Sequence, residues 1–390
     1  MRILPDNPSL EFLRQEAKDL LAAMRETEPM ATLSTAQREL ALQYGCRSWA
    51  ALRDEVERRR STLPVAPVGL AQALADRFGL GRVESAPQPI GFEPMGRTWR
   101  LATTTGDWIA RPQYSWMSDE QAERGERLRR AAADAGIASP TPRRTVDGRL
   151  VSRIDDAVWR VDEWMEVGPV ATRPVAAATA SAVGALLATI HQLAIPSDAP
   201  FHLYTTTRRP MSTWHELIES GRAAGKDWTE DLVALLPAIE EVRSIPDPSF
   251  DSPILGNCLI DENTIRLGHR RQLVVVEWGF AGSVTPALEF ASVLTHLVFR
   301  PSINRVAARA FADGYREVAG ALPALERGSF LFEIGGWFNW TWNQLRESTD
   351  PRGPDRGWLA EHEGRDSLAH PITVDAIDRL IDAVSAASAS

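Results

Sequence analysis

The chain has 390 residues, of which 44% are hydrophobic and 24% are charged, a composition typical of a globular protein. A single core stops growing at roughly 250 to 300 residues, so the length predicts two or three domains. The formal net charge is -9, and an acidic chain is repelled by nucleic acid and by anionic membrane surfaces. These properties disfavour nucleic acid and membrane partners, and they favour a small molecule or another protein.

The cysteine content and the lengths of the apolar runs bear on whether the protein is expected in the cytoplasm, in a membrane or outside the cell. Cys46 and Cys258 are too few and too far apart in sequence for a disulfide framework or a zinc site. No apolar run approaches the roughly 20 residues that span a bilayer. The first five residues, Met-Arg-Ile-Leu-Pro, do not lead into a signal-peptide hydrophobic region. We therefore expect a cytoplasmic protein in a reducing environment.

The pattern of residues 1–62 predicts a separate helical unit. Asn7 is the expected cap of a first amphipathic helix, Ser34 of a second and Ser48 of a third. The proline- and glycine-punctuated segment 64–69 follows as a linker. We expect that removal of this unit leaves the rest of the chain folded, and that it offers a contact surface to a protein partner.

The remainder of the chain divides into a strand-rich part and a helical part. Residues 70–166 begin with a helix, and strand-like pieces then surround one charged helix; the strands lie at 98–102, 108–111, 149–154 and 158–164, and the charged helix at 118–135. Residues 167–390 have mostly helical periodicity, interrupted by an apolar strand-like run at 273–276. The sequence predicts an α+β fold with a small antiparallel-sheet lobe followed by a mainly helical lobe.

Three motifs in order resemble the aminoglycoside phosphotransferase/choline kinase family. Residues 190–193, Ile-His-Gln-Leu, are similar to its Leu-His-x-Leu, and residues 274–282, Val-Val-Val-Glu-Trp-Gly-Phe-Ala-Gly, to its Val-Ile-Asp-Trp-Glu-x-Ala-Gly. Between them, residues 254–263 stand in the place of its catalytic loop, His-x-Asp-Leu-x-x-x-x-Asn. The resemblance covers residues from about 80 to 350. The resemblance implies a protein-kinase-like two-lobe fold with the catalytic-loop region at 254–282. It also implies that the protein binds ATP or GTP with Mg²⁺ and a small hydroxylated acceptor.

The catalytic loop departs from the family pattern. Matching Asn263 to the family's metal-binding asparagine puts Cys258 at the position of the catalytic base and Gly256 at that of the histidine. A shift by one residue puts Asn257 at the base and Glu262 at the asparagine. In that family the loop aspartate orients and deprotonates the acceptor hydroxyl. Either register therefore implies that the base is lost.

Asn263 and Glu277 are the metal-binding candidates that the resemblance implies. Glu277 stands where the family has an aspartate, and it keeps the charge while reaching one methylene further. Mg²⁺ demands near-ideal octahedral geometry, so the longer side chain predicts a weakened or displaced site. The alternative for Glu277 is an ordinary charge at a strand end.

Arg111 stands where the family has the Lys or Arg that faces the nucleotide phosphates. The glutamate that pairs with it in the family aligns with Gly125, so the neighbours Glu123 and Glu126 are the candidates, with Glu123 preferred. The alternatives are a solvated strand-end arginine and an exposed helix that is rich in charged residues and has no binding role.

The strand-rich part also offers backbone groups to a nucleotide. The turn bounded by Gly91 and Gly96 is a candidate cover for the phosphates, and its alternative is an ordinary turn between strands. Trp164, Met165 and Glu166 fall where the family's lobe connector faces the adenine, and their alternative is a linker.

A tryptophan-rich late helix resembles a Trp-x-x-Asn-x-x-Arg pattern in a subgroup of the family. Trp337, Trp340 and Asn343 are candidates for the acceptor pocket, with a place in the core as the alternative. His191 is expected to be a hydrogen-bonded core histidine, and Glu289 to be structural.

Three functions are compatible with these residues. The first is a small-molecule phosphotransferase with weak or altered activity, because phosphoryl transfer depends mainly on positioning and charge stabilisation and survives loss of a base. The second is a pseudokinase that binds a ligand without turnover, which the joint loss of two loop residues favours. The third is unrelated small-molecule chemistry on the same fold.

Overall fold

The computed structural model describes residues 4–93, 95–168, 174–261, 264–268, 272–300, 302–349 and 354–385. The chain divides into two compact units. The sheet unit consists of Arg2–Thr172 and Glu262–Ala281. The helix unit consists of Arg173–Asp261 and Gly282–Ser390, together with Met1.

Three helices open the sheet unit: α1 (Leu10–Arg25), α2 (Leu33–Gln43) and α3 (Trp49–Ser61). Their apolar sides form two buried clusters, and every member of both clusters lies between residues 4 and 56. The three helices thus bury a core of their own. That the rest of the chain stays folded without these helices remains a prediction.

The caps of these helices correct two expectations. Ser48 caps α3 as predicted, since its hydroxyl accepts the Ala51 amide at 3.1 Å. Ser9 caps α1 and Thr32 caps α2, so the predictions of Asn7 and Ser34 as caps were wrong. Each observed cap accepts the amide three residues on, which is the geometry that satisfies the first turn of a helix.

An antiparallel six-stranded sheet follows α4 (Leu70–Phe78), and α5 (Asp119–Asp134) lies between its third and fourth strands in sequence. The strands are β1 (Gln88–Glu93), β2 (Gly96–Thr103), β3 (Gly106–Gln113), β4 (Pro142–Arg143), β5 (Val151–Ile154) and β6 (Ala157–Glu163). Their order is β1-β2-β3-β6-β4, with β5 also paired to β6. Apolar residues of α4 pack on one face of the sheet, where Trp99, Trp108 and Trp159 are buried.

Four short strands come later in the chain. β7 (Ile254–Gly256) pairs with β10 (Gly282–Val284), and both belong to the helix unit. β8 (Ile265–Leu267) pairs with β9 (Leu273–Val275), and both belong to the sheet unit. The predicted buried strand near residue 273 is therefore confirmed.

The helix unit is built mostly from α-helices, with a short 3₁₀ helix at Arg327–Phe330. They are α6 (Ala177–Gln192), α7 (Leu203–Thr206), α8 (Met211–Ala223), α9 (Trp228–Arg243), α10 (Pro286–Val298), α11 (Arg305–Ala319), α12 (Leu331–Thr349), α13 (Pro354–Ala369) and α14 (Val374–Ser385). The α+β class predicted from the sequence is confirmed. In the part of the chain that the structure describes, no helix is long and apolar enough to cross a membrane.

Candidate functional site

Arg111 lies on β3, on the sheet face opposite to α4. Trp108 and Ala110 of the same strand pack in the α4 core, and side chains alternate between the two faces of a strand, which turns Arg111 to the other face. In the antiparallel pairing of β3 with β6, Arg111 stands directly opposite Arg160. Like charges in this arrangement destabilise a sheet. The pair therefore needs negative charge close by.

Asp162 and Glu277 supply that negative charge. Asp162 Oδ1 accepts Arg160 Nε at 2.9 Å, and Asp162 Oδ2 lies 3.8 Å from Arg111 Nη2. Glu277 Oε2 lies 3.5 Å from Arg111 Nη1, and Glu277 Oε1 lies 3.7 Å from Arg160 Nη1. We call these four residues the charge cluster. Two positive and two negative side chains balance there, as burial of charge requires.

Burial and charge act in opposite directions on the cluster. The exposed fractions of the side chains are 8% for Arg111, 7% for Arg160, 2% for Asp162 and 17% for Glu277. Burial opposes the charged form of Arg160, but the nearby carboxylates of Asp162 and Glu277 outweigh it and raise the pKa of that guanidinium. The cluster therefore keeps its charges although it is shielded from water.

The backbone around Glu277 is part of the same arrangement. Arg111 Nη1 donates to the Val276 carbonyl at 2.9 Å, and the Gly279 amide donates to Glu277 Oε1 at 2.6 Å. Among the described residues, Arg111 Nε is buried without a hydrogen-bond partner. The structure thus brings together the predicted phosphate-facing cation and the predicted metal-binding carboxylate.

Helix α5 packs closely against the turn that follows Glu277. Gln121 Nε2 donates to the carbonyls of Gly279 at 2.8 Å and Ala281 at 2.9 Å. At Gly125 a Cβ atom would collide with the carbonyl oxygen of Trp278. Glycine is therefore required where the family alignment expects the glutamate partner of Arg111, because no side chain fits there.

The two neighbouring glutamates bind other arginines. Glu123 pairs with Arg144, whose Nη2 lies 2.9 Å from Oε2. Glu126 is buried and accepts Arg129 Nε at 2.6 Å and Nη2 at 2.9 Å. Burial raises the pKa of Glu126, but the hydrogen bonds and charge of Arg129, together with the charges of Arg160 and Arg130, outweigh burial and hold that pKa below its ordinary value. The role of Glu123 toward Arg111 stays a prediction.

The two predicted glycines lie in the strands on either side of the β1–β2 turn, Gly91 in β1 and Gly96 at the start of β2. Gly96 pairs with Glu93 and has φ of 136°, a conformation that side chains disfavour. Gly91 follows an irregularity in the pairing of β1 with β2, and a Cβ atom there would meet no neighbour within 4 Å. Contact of this hairpin with phosphates stays a prediction.

The connector residues after β6 are partly engaged. The Trp164 amide donates to the Asp107 carbonyl at 3.0 Å, and its indole Nε1 donates to Glu166 Oε1 at 2.7 Å. Arg100 lies over the Trp164 ring at 4.4 Å, and Met165 is half-buried. Contact of these residues with an adenine stays a prediction.

In the helix unit, the loop after β7 is anchored by a buried carboxylate. Glu289 on α10 is 1% exposed, and its Oε1 accepts the amides of Asn257 at 2.8 Å and Cys258 at 3.2 Å. A Cβ atom at Gly256 would collide with the same carboxylate. Gly256 thus makes room for the side chain that holds the loop.

His191 and Tyr315 extend this arrangement into the core of the helix unit. His191 Nε2 lies 3.0 Å from Glu289 Oε2, and His191 Nδ1 lies 2.7 Å from the Tyr315 hydroxyl. A carboxylate only accepts, so Nε2 donates, and a neutral ring then accepts the hydroxyl at Nδ1. Burial and the nearby Glu289 raise the pKa of Tyr315 to about 12. His191 is therefore a hydrogen-bonded core histidine, as predicted.

Cys258 has an unusual backbone conformation and apolar neighbours. Its φ is 57°, in the left-handed region. The residue packs against a buried cluster that contains Val284, Leu288, Leu331 and Phe332. Cys258 is half-buried, whereas Asn257 is 0% exposed. The other loop candidates, Glu262 and Asn263, lie outside the described residues. Among the residues that the structure does describe, no three His, Cys, Asp or Glu side chains form a group that could bind a metal ion.

The three acceptor-pocket candidates on α12 differ in exposure. Trp337 is buried, donates its Nε1 to the Ser367 carbonyl at 3.0 Å and stacks on Trp214. Trp340 is half-buried and Asn343 is exposed. Trp337 thus contributes to the core of the helix unit, while Asn343 is available to solvent.

Sequence reasoning missed Arg160 and Asp162, although a signal existed. Residues 158–163 read Val-Trp-Arg-Val-Asp-Glu, in which apolar and charged side chains alternate. Trp159 and Val161 face the α4 core, so the two charged residues share the opposite face with Arg111. Two charged residues at alternate positions of a strand with otherwise apolar side chains indicate buried ion pairs or a ligand-binding site.

The model of the APH phosphotransferase enzyme family matches residues 95–326, which is more than half of the chain. The chain belongs to this family. The match includes the charge cluster, the loop at 254–261 and Glu289. No curated protein matches the chain.

Solved structures with the same fold include three phosphotransferases, and at 11–13% identity they show the fold alone. The spectinomycin phosphotransferase APH(9)-Ia is 11% identical with a TM-score of 0.60, over 82% of this chain and 99% of its own. An aminoglycoside phosphotransferase from Alicyclobacillus acidocaldarius is 13% identical with a TM-score of 0.52, over 84% and 98%. The amicoumacin kinase hAmiN is 13% identical with a TM-score of 0.53, over 79% and 95%. The predicted kinase-like fold is confirmed.

Proposed function

We propose that this APH-family protein binds a nucleotide with Mg²⁺ and a small hydroxylated molecule, and that its phosphoryl transfer is weak or altered because Cys258 replaces the base. One observation carries the proposal. Arg111 and Glu277, assigned to phosphate and metal binding from separate motifs, lie 3.5 Å apart in the charge cluster. This proximity supports the proposed role of both residues in charge stabilisation during phosphoryl transfer.

The solved structures support the ligand classes. The spectinomycin phosphotransferase was determined with ADP and spectinomycin, and the amicoumacin kinase with AMP-PNP and Ca²⁺. An adenine nucleotide with a divalent cation is therefore the first choice for this chain. In the proposed complex, Gly91 and Gly96 bound the turn over the phosphates, and residues 164–166 face the adenine.

The protein groups proposed to hold Mg²⁺ are Glu277 and Asn263. Mg²⁺ is commonly bound by one or two carboxylates together with phosphate oxygens, so one glutamate and one amide suit it. When bound, the ion neutralises charge on the phosphates. Glu277 takes this role when Arg111 and Arg160 turn from its carboxylate to the phosphates. This exchange of one anion for another conserves the charge balance of the cluster.

The catalytic loop supports a slow reaction. Asn257 is fully buried whereas Cys258 is half-buried, which favours the register that places Cys258 at the position of the base. A general base contributes roughly 10²- to 10⁴-fold in rate, about 3 to 5 kcal/mol of barrier. Its absence slows transfer, while positioning and charge stabilisation remain.

A pseudokinase is the second candidate, and the surroundings of Cys258 favour it. The residue packs against apolar side chains of the helix unit, and Glu289 fixes its backbone. Such a loop holds its shape without offering a proton acceptor. The third candidate, unrelated chemistry on this fold, requires that the protein does not bind nucleotide.

Calorimetric titration with Mg-ATP tests nucleotide binding. We expect Arg111→Gln to weaken the affinity about tenfold, or about 1.4 kcal/mol, because it removes the cation that faces the phosphates. Arg153→Gln is the matched control, since its guanidinium donates to the Asp156 carbonyl at the surface of the same sheet. An equal affinity of Arg111→Gln and wild type would overturn the assignment of Arg111. No binding by the wild type would point to the third candidate.

ADP release by Cys258→Asp and Cys258→Asn tests the missing base. Both residues tolerate the left-handed backbone of position 258, but aspartate alone supplies a base. We expect Cys258→Asp to raise the rate tenfold or more, about 1.4 kcal/mol of barrier, and Cys258→Asn to leave it unchanged. Adding a histidine at Gly256 is not useful, because its Cβ atom collides with Glu289.

The outcomes separate the candidates. If Mg-ATP binds and both variants remain at background with a panel of hydroxylated molecules and with water, the pseudokinase reading holds. Fast turnover by the wild type would show that the loop register is wrong.

A further inference from the structure

The helix unit carries two arginines that the proposed chemistry does not use. Arg209 lies just before α8, and its Cζ is 3.8 Å from the centroid of the Trp342 indole on α12. Arg346, one turn further along α12, has its Cζ 5.1 Å from the same centroid. A guanidinium over an indole is favourable, but two guanidinium groups on one ring repel each other. The arrangement gathers positive charge at one place.

Hydrogen bonds formed elsewhere set this geometry. Trp342 Nε1 donates to the Thr213 carbonyl at 3.2 Å, which fixes the plane of the indole. One turn earlier, Asn339 Nδ2 donates to the carbonyls of Tyr204 at 2.7 Å and Thr207 at 3.0 Å. Both carbonyls belong to the segment that leads into α8. The stack of arginine on indole is therefore held from both sides.

Among the described residues of the helix unit, no carboxylate balances the positive charge at this place. In the described part of the helix unit, no carboxylate oxygen pairs with Arg209 or Arg346 within 4.0 Å, and the contact of Arg209 Nη2 with Asn343 Oδ1 is long, at 3.4 Å. Arg209 Nε is buried without a hydrogen-bond partner among these residues. Burial lowers the pKa of Arg209, Tyr204 opposes this effect, and Arg346 adds to it.

The preceding arginine, Arg208, differs from Arg209 in having a carboxylate partner. Arg208 Nη1 donates to the carbonyls of Arg243 and Ile245, and its Nη2 lies 2.8 Å from Asp247 Oδ1, although its Nε is also buried without a hydrogen-bond partner among the described residues. Arg209 has neither a carboxylate nor a carbonyl at that distance in the described chain. The missing carboxylate points to an anionic ligand as the partner of Arg209.

We propose that Arg209, Trp342 and Arg346 form a receptor for an anionic group, a carboxylate or a phosphate, on a small molecule that the helix unit binds. Guanidinium groups bind both anions with paired hydrogen bonds, and the indole holds them in place. To call this molecule the phosphoryl acceptor rests on the proposed function, but the anion site itself does not. The proposed anion site narrows the ligand class to small molecules that carry negative charge.

Calorimetric titration of the full chain without nucleotide tests the site. The probes are benzoate and phenyl phosphate, with benzyl alcohol as the neutral analogue. We expect at least one anion to bind saturably and benzyl alcohol not to bind. Arg209→Gln and Arg346→Gln are each expected to weaken binding about tenfold or more, as is usual for a charge-assisted contact. The relative affinity of the two anions shows which group the site prefers.

Arg379→Gln is the matched control. It removes one positive charge from the same unit at an exposed pair with Asp375, and we expect unchanged affinity. Equal binding by wild type, Arg209→Gln and Arg346→Gln overturns the proposal, as does no binding of either anion at tens of millimolar. Because Arg346 is exposed, its variant decides the matter even if Arg209→Gln unfolds. The Mg-ATP titration is independent, so failure of either proposal is recognised separately.

Discussion

Two carboxylates of the molecule, Glu277 in the sheet unit and Glu289 in the helix unit, differ in their partners. Glu277 faces two guanidinium groups, Arg111 at 3.5 Å and Arg160 at 3.7 Å, and accepts one backbone amide, that of Gly279 at 2.6 Å. Glu289 accepts two backbone amides of the loop after β7 and lies 3.0 Å from the ring of His191. The first carboxylate mainly balances charge, and the second satisfies hydrogen-bond donors.

The difference suits the surroundings of Glu277 to ligand exchange and those of Glu289 to fixing the conformation of a loop. A carboxylate that balances cations can exchange them when another anion and cation arrive together, because the total charge is conserved. Glu289 cannot move without leaving two loop amides and His191 without their acceptor, whereas Glu277 has a single amide donor. We infer that the charge cluster responds to ligands, whereas Glu289 keeps the loop that contains Cys258 in one conformation.

The largest effect is expected at Glu289. Glu289→Ala removes the acceptor of two loop amides and of His191, and we expect it to lower the free energy of unfolding by about 3 to 5 kcal/mol. Glu289→Gln retains one acceptor oxygen and should cost about half as much. Urea denaturation measures both values.

Glu333→Ala is the matched control for this measurement. Glu333 accepts the Ser292 hydroxyl at 2.7 Å and lies 3.4 Å from His296, so both of these partners are side chains, and that of His296 is 28% exposed. Its loss should cost about 1 kcal/mol. If Glu289→Ala costs no more than Glu333→Ala, the anchoring role of Glu289 is wrong.

The next largest effect is expected at Asp162. Asp162→Asn removes one negative charge from the buried cluster and leaves two arginines opposite each other on neighbouring strands. We expect a loss of on the order of 3 kcal/mol, since breaking a buried ion pair leaves uncompensated charge. Asp107→Asn on the same sheet is the control, because its pair with Arg100 is partly exposed and worth at most about 1 kcal/mol.

The Asp162 variant also tests whether the cluster exchanges its ions. Bound Mg-ATP supplies negative charge to the two arginines, so the nucleotide should stabilise Asp162→Asn more than wild type. A thermal shift with Mg-ATP that is the same for both proteins would contradict the exchange and would make the cluster a static ion-pair network.

The sequence predicted the parts of the site that lie in local motifs. Arg111 and Glu277 were each proposed from the resemblance of their own segment to a family motif, and the structure brings them within 3.5 Å of each other. The contact of Arg111 with Asp162 was missed, because the register that sets Arg111 opposite Arg160 depends on the pairing of strands that are distant in sequence. Local patterns identify residue types, whereas the pairing of strands decides which of them meet.

Helix ends show a similar limit. The stretches before α1 and α2 contain several residues that are able to cap, among them Asn7, Ser9, Thr32 and Ser34. All have similar intrinsic preferences, so the choice depends on which helix start buries the apolar side best. The existence of each helix was therefore predictable, and its first residue was not.

A smaller effect is expected from removing the first three helices. Neither of their two buried clusters includes a residue of the charge cluster or of the Glu289 arrangement. An ion pair between Asp6 and Arg97 at 2.5 Å links them to β2. Deletion of residues 1–65 should therefore lower the melting temperature by about 2 to 4 °C, the effect of roughly 1 kcal/mol.

A longer deletion is the control for this truncation. Deletion of residues 1–79 also removes α4 and uncovers the tryptophans that it buries on the sheet, so we expect an insoluble protein. If the shorter deletion is insoluble as well, the first three helices belong to the main core, and their predicted independence is wrong.

The smallest effects are expected at the two extremes of pH, where each unit contains one perturbed group. In the sheet unit, burial raises the pKa of Glu126, but the hydrogen bonds and charge of Arg129, together with the charges of Arg160 and Arg130, hold that pKa below its ordinary 4.5. A lowered pKa contributes stability above pH 4.5, and this contribution is lost as the pH falls through the folded value. In the helix unit, burial raises the pKa of Tyr315 from 10.0 to about 12. That contribution is present below pH 10 and is lost as the pH rises toward 12.

Melting temperatures measured from acid to alkaline pH test these two assignments. The proteins compared are the wild type, Glu126→Gln and Tyr315→Phe. The gap between wild type and Glu126→Gln should narrow below pH 4.5, because protonation removes the charge that holds Arg129. The gap between wild type and Tyr315→Phe should narrow above pH 10, because the unfolded phenol ionises first. Tyr204→Phe, at the surface of the helix unit, should follow the wild-type alkaline limb. If Tyr315→Phe follows it too, the Tyr315 hydroxyl that bonds to His191 contributes nothing to alkaline stability.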